Sequence, residues 1–140
     1  MKQETIDSEF FKQRLAALCV ESGVSVFPRK PPDKQILLKS IVLTLNAEQV
    51  YTEPAINAAL QTWLTIAGFK IETDHITLRR LLVDEGFLQR ERDGSAYRVP
   101  ITHRHSHLFD ALVETIDVGT VIQDAQMRIA EQKQRVMGNE

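Results

Sequence analysis

One cysteine, Cys19, stands in 140 residues, so neither an internal disulfide nor a thiolate zinc cluster can form within the chain. A reducing compartment is the simpler expectation, and the chain is read as cytoplasmic. No apolar run approaches the roughly 18 residues of a membrane span. The opening Met1-Lys2-Gln3-Glu4-Thr5 has neither a signal-peptide apolar region nor an Arg-rich transit pattern. Charge of one sign is also lacking: 17 basic against 19 acidic side chains give a net charge of −2. That excludes a polycationic nucleic-acid binder, so any anion recognition must come from a local patch. Internal repeats and low-complexity segments are absent. So are a Gly-rich phosphate loop, a nucleophile elbow and a His-Glu-x-x-His pair. Asp84 and Glu85 are adjacent carboxylates, but neighbours on a helix point apart and cannot share a reacting atom. No catalytic residue, cofactor or metal is therefore expected. Cys19 lies on an apolar helical stripe and reads as core.

What is present is the composition of a folded domain, 43% apolar and 26% charged. At this length roughly 70% of the unfolded surface can be buried, enough for a core without staples. The spacing predicts a first helix from a cap at Asp7 or Ser8, carrying Phe11, Leu15 and Leu18 to a stop at Gly23. The proline-broken link Val24 to Pro32 cannot be helix interior and marks a boundary. From Asp33, the positions Leu37, Leu38, Ile41, Val42 and Leu45 form a second amphipathic helix. Thr52 caps a third, with Ile56, Ala59, Leu60, Trp63 and Leu64 inward, ending by Gly68. Thr73 or Asp74 caps a fourth, burying Leu78, Leu81 and Leu82 and stopping at Gly86.

Beyond Gly86 the period changes. Phe87 to Glu91 and Ala96 to Val99 are strand-like runs joined through Asp93-Gly94, a strong turn dipeptide. Three helices and then a hairpin is the winged helix-turn-helix order. A helix from a cap at Ser106 through Leu108, Leu112 and Ile116 is expected next, interrupted at Val118-Gly119. A last helix then opens on the capping box Thr120 to Gln123 and bears Ile122, Ala125 and Ile129. The expected class is mainly α (α+β), a winged helix with a β-hairpin wing and extra helices at both ends. The expected division is 1–26 as an accessory helix, 27–104 as the winged-helix domain, and 105–140 as a helical extension.

Two stretches carry a family resemblance. Tyr51-Thr52-Glu53-Pro54-Ala55-Ile56-Asn57 is one, with Ala55 in place of a glutamate. Leu78-Arg79-Arg80-Leu81-Leu82-Val83-Asp84-Glu85-Gly86-Phe87-Leu88-Gln89-Arg90, followed by Asp93 to Arg98, is the other. Together they resemble the family catalogued as domain of unknown function 2087, which is similar to winged-helix regulators. The resemblance implies a DNA-binding or regulatory role and no established activity.

On this reading the fourth helix is a recognition helix. With Leu78 and Leu82 inward, Thr77 and Arg80 fall outward, and Arg80 suits a guanine edge or a phosphate. Arg79 flanks Leu82 and either joins the contact or pairs with Glu53 or Asp84. Arg90, Arg92 and Arg98 lie in the wing, where a hairpin tip meets phosphate or minor groove; Arg90 and Arg98 have cross-strand acids as alternatives. The expected DNA-binding set is Thr73, His75, Thr77, Arg79, Arg80, Arg90, Arg92 and Arg98, with double-stranded DNA as partner. The rival is a winged-helix module that holds a protein instead. His103, His105 and His107 alternate as metal ligands could, but without an interleaved carboxylate or cysteine they read as a solvated junction. Finally, Phe11, Leu15, Leu108, Leu112, Ile116, Ile122 and Ile129 form stripes expected to pair two copies, so that a chain ending at Arg104 becomes a less stable monomer.

Overall fold

The computed structural model describes residues 5–22, 24–102 and 105–138. Gly23, the expected helix stop, and His103 lie outside the described residues. The described chain is mainly helical with one small antiparallel sheet. Helix α1 spans Ser8–Ala16, with Asp7 accepting the Phe10 N–H at 2.8 Å. It runs into a wide π-helical turn, Ala17–Glu21, which turns the consecutive Leu18, Cys19 and Val20 inward. After the proline link comes α2, Asp33–Leu43.

Helix α2 departs from the expected amphipathic form. Every residue from Gln35 to Val42 is buried, on all sides of the helix. A helix in the middle of a fold has no polar face to spare, so each polar side chain on it must be answered by a neighbour. Ser40 donates to the Leu37 carbonyl at 2.6 Å and accepts from Trp63 Nε1 at 3.1 Å. Lys39 reaches the Glu114 carboxylate and lies 5.5 Å from the centre of the Phe109 ring. Lys34 donates to Glu85 at 2.7 Å, and Asp33 takes both guanidinium contacts of Arg14, at 2.7 and 2.8 Å.

Helix α3 is Glu53–Ile66, capped by Thr52 and burying Ile56, Leu60 and Trp63. At its end Gly68 lies against the Trp63 ring so closely that any Cβ there would collide with it. Helix α4 is His75–Asp84, burying Leu78 and Leu82. Gly86, at φ +85°, closes it, and the Phe87 N–H returns to the Leu82 carbonyl at 2.8 Å. The chain then forms β1 (Gln89–Arg90) and β2 (Tyr97–Arg98), antiparallel, with Gln89 opposite Arg98 and Arg90 opposite Tyr97. These strands are shorter than the sequence runs, because Phe87 and Leu88 are both buried rather than alternating. Gly94 takes the left-handed φ of +76° that the turn needs. Tyr51, just before α3, adds a third edge: its N–H and carbonyl pair with those of Tyr97, each at 2.8 Å.

The C-terminal segment differs most. In place of a helix through Leu108, Leu112 and Ile116 there are two 3₁₀ turns, Ser106–Leu108 and Ala111–Thr115. Between them Phe109 pairs in parallel with Ile6, whose N–H donates to the Leu108 carbonyl at 2.6 Å. That pairing holds Phe109 extended, and Asp110 then caps the second turn. Phe109 packs edge-on to Phe11 and to Phe87, at 6.2 and 6.5 Å between ring centres. Helix α5 begins at Val118, not Thr120, because Asp117 accepts the Thr120 N–H, and it runs to Gly138. Its buried residues are Val118, Ile122 and Ala125.

One core therefore runs from Ile6 to Ala125 across all three expected segments. Most of the residues expected to pair two copies serve the chain's own core. Phe11 and Leu15 are fully buried, and Ile116 and Ile122 nearly so, within the chain's own core. Leu108 and Ile129 are half-buried, and Leu112 alone of that set is exposed. Val113, Ile116, Val118 and Ile122 at ~1.5–3 kcal/mol each contribute about as much as a whole domain's net stability of ~5–15 kcal/mol. A chain ending at Arg104 should accordingly lose its cooperative thermal transition by circular dichroism. A sigmoidal melt at the full-length midpoint would contradict a shared core.

Candidate functional site

Helix α4 is set by its first turn and its apolar spacing. Asp74 Oδ1 accepts the Thr77 N–H at 2.7 Å, and this backbone hydrogen bond holds the Asp74 carboxyl below its usual range. With Leu78 and Leu82 buried, the opposite face presents Ile76, Thr77, Arg80 and Asp84 to solvent. Thr73 is half-buried in the turn before the helix, and its N–H is bound to the Ile71 carbonyl at 3.0 Å. His75, also half-buried, lies with Nδ1 3.3 Å from Gln61 Nε2 of α3.

The arginines divide into held and free. Arg79 is held: its guanidinium meets Asn57, pairs with Glu53 at 3.3 Å and lies over the Tyr97 ring at 5.7 Å. Its side chain keeps 14% exposure, so it fastens α4 to α3 and the sheet. Arg98 pairs with Glu91 along the hairpin at 3.0 Å, both half exposed. Arg90 donates from Nε to the Tyr97 hydroxyl at 3.2 Å and lies across Gly94. Arg80 and Arg92 are exposed and make no ion pair among the described residues. Glu53, Arg79, Arg80, Val83, Asp84, Arg90 and Tyr97 line one surface cavity of about 320 Å³ between α4 and the hairpin. The outer face of α4 and the base of the wing thus meet, with two carboxylates among three arginines.

The two stretches behind the family resemblance also meet here, Tyr51 on Tyr97 and both Glu53 and Asn57 on Arg79. Residues 24–99 match the family described as an uncharacterized protein conserved in bacteria, DUF2087. The chain belongs to this family. Comparison with curated proteins and with solved structures found no match.

In this DUF2087 chain four of the resembling residues, Tyr51, Asn57, Arg79 and Tyr97, thus fasten α3, α4 and the sheet to one another. Sequence reasoning placed Arg79 as flanking Leu82 and able to pair with Glu53, as it does. It missed Asn57 and Tyr97 as the other members of that cluster, although both stand in the quoted motifs. It also missed Glu85, which lies 3.0 Å from His105 Nε2 while His105 stacks on Phe87 at 5.7 Å. His105 is accordingly part of the packing rather than of a solvated junction, whereas His107 is exposed. No group of three metal-ligating side chains occurs among the described residues, nor a helix long and apolar enough to cross a membrane. Cys19 is fully buried, and burial pushes its thiol up to about 12.

Two outcomes follow from these environments. Because its folded value is depressed, Asp74 stabilises above the ordinary carboxylate range, and the contribution fades as pH falls through the folded value. Asp74→Ala should lower the melting midpoint at pH 7, and the deficit should shrink in scans at acid pH; a pH-independent deficit would contradict the cap. Cys19 should stay unreactive toward an aromatic disulfide reagent at pH 8 until denaturant is added, since thiolate is the reacting form. Rapid labelling of the native chain would place the thiol elsewhere than in the core.

Proposed function

We propose that this chain is a DNA-binding transcriptional regulator of winged-helix type, without enzymatic activity. The supporting order is helix, paired edge, helix, helix, hairpin: α2, Tyr51, α3, α4, β1 and β2. The observation that carries the reading is the adjacency of Arg80 on the outer face of α4 to Arg90 at the base of the hairpin, across one cavity. A helix face and a wing that meet can engage groove and flanking phosphate of one duplex together. Exposed Ile76 and Thr77 add groups suited to a thymine methyl and a base edge. Arg79 and Arg98, expected as contacts, act instead through their pairs with Glu53 and Glu91, and Thr73 and His75 border the contact face. Pairing of two copies on one site, where it occurs, falls to Leu112 and the exposed distal part of α5.

Exposed Ile66, Phe69 and Ile76 on the α3–α4 pair favour the rival reading, a module that holds a protein.

Selection of the full chain against random duplex DNA tests the first reading directly. If Arg80 makes a base contact, Arg80→Ala should cost ~1–3 kcal/mol of specific affinity. Unchanged affinity and preference would remove it from the interface. Arg92→Ala should flatten the slope of log affinity against log salt by about one unit. A slope that stays put, with no sequence selected, would hand the surface to the protein-binding reading.

A further inference from the structure

Helix α5 is seated in the body by its first turns and then leaves it. Val118, Ile122 and Ala125 are buried and Ile129 is half-buried, but from Ala130 to Gly138 every residue is exposed. At 1.5 Å per residue this outer stretch is about 13 Å long. The apolar spacing does not stop where the body does. Val118, Ile122, Ala125, Ile129, Gln132 and Val136 follow at alternating intervals of four and three residues, the repeat of a helix-pairing seam. Its inner half is taken up by the chain's own core. Its outer half runs from Ile129 through exposed Gln132 to Val136, 69% exposed, with Met137 beside it at 75%.

The flanking charges select what covers it. At about 100° per residue, Arg128 and Arg135 fall along one flank of the seam and Lys133 along the other. Asp124 and Glu131 fall on the opposite side of the helix. Arg128 stands 3.8 Å from Glu21, both side chains about half exposed. Lys133 and Arg135 are exposed and make no ion pair among the described residues. A second copy laid along this seam, parallel or antiparallel, would set cations against cations on both flanks. A helix with acidic flanks would set each cation against a carboxylate.

We infer that the outer part of α5 is a docking seam for an amphipathic helix of another protein, one that bears aspartate or glutamate on both sides of its apolar stripe. Ile129, Val136 and Met137 supply the apolar contact. Gln132 between them fixes register at a cost in stability, and Arg128, Lys133 and Arg135 choose the partner. This inference does not rest on DNA binding, and it leaves any pairing of two copies to Leu112.

Three synthetic peptides test it against the full isotope-labelled chain. One is an amphipathic helix with leucine along its seam and glutamate on both flanks. Its twin has lysine for every glutamate, and the third is the chain's own stretch 118–138. Amide NMR shifts should show the glutamate peptide moving Ile129, Val136 and Met137. Its affinity should exceed that of the lysine twin by at least about tenfold, as attractive pairs at three exposed cations give way to repulsive ones. That affinity should fall as salt rises, and the 118–138 peptide should bind more weakly. The double variant Lys133→Glu, Arg135→Glu alters only exposed positions and should turn the preference toward the lysine twin. Equal affinity of the wild-type chain for the two designed peptides would overturn the proposal. So would shifts confined to α4 and the hairpin, tighter binding of the 118–138 peptide, or no shifts at about millimolar peptide.

Discussion

Burying α2 on every side is the constraint from which the rest of the structure follows. A helix with no solvent face needs neighbours in all directions, and α1, α3, α4 and the C-terminal segment are those neighbours. Its polar residues then dictate where complementary groups must stand. Arg14 comes to Asp33 from α1, Glu85 to Lys34 from the end of α4, Glu114 to Lys39 from the second 3₁₀ turn, and Trp63 to Ser40 from α3. Each pair is worth little in water and more where partly buried, because the unpaired alternative is costly. Their main effect is to fix which element lies on which side of α2.

The surface of α4 is settled by a similar economy of partners. Of the five arginines in the α4–hairpin region, Arg79 is held by Glu53 and Asn57, Arg90 meets the Tyr97 hydroxyl and Arg98 pairs with Glu91, whereas Arg80 and Arg92 make no ion pair among the described residues. Tyr51, Asn57, Arg79 and Tyr97, which carry the resemblance to the family, each touch another member of the set.

Where a feature depends on neighbours in sequence, it was legible. Caps at Asp7, Thr52 and Asp74, the stop at Gly86 and the turn at Asp93-Gly94 all read directly from residue type, as did the outward Thr77 and Arg80. Features set by distant partners were not. Gln35, Lys39 and Ser40 are polar positions on a helix expected to be amphipathic, yet all three are buried, Lys39 against Glu114 and Phe109 and Ser40 against Trp63. Ser106 to Ile116 has helical spacing, but pairing of Ile6 with Phe109 takes the backbone hydrogen bonds that a helix would use. The apolar stripes of α1 and α5 are legible in the sequence; that they pack in one core within the chain cannot be read from either stripe alone. In the site, Arg90 was foreseen as a wing residue, whereas its seat on the Tyr97 hydroxyl depends on cross-strand register.

The Ile6–Phe109 pairing carries a consequence for how the molecule comes into being. About a hundred residues separate the two partners, and closing so long a loop is slow because its entropy must be met before the contact forms. On the ribosome, Phe11 is made long before Phe109, the ring it meets edge-on. Until Phe109 is available, the apolar side chains of the Ser8–Ala16 segment lack part of their cover, a state open to chaperones and to aggregation. Completion of the native state is thereby postponed until the last third of the chain has left the tunnel.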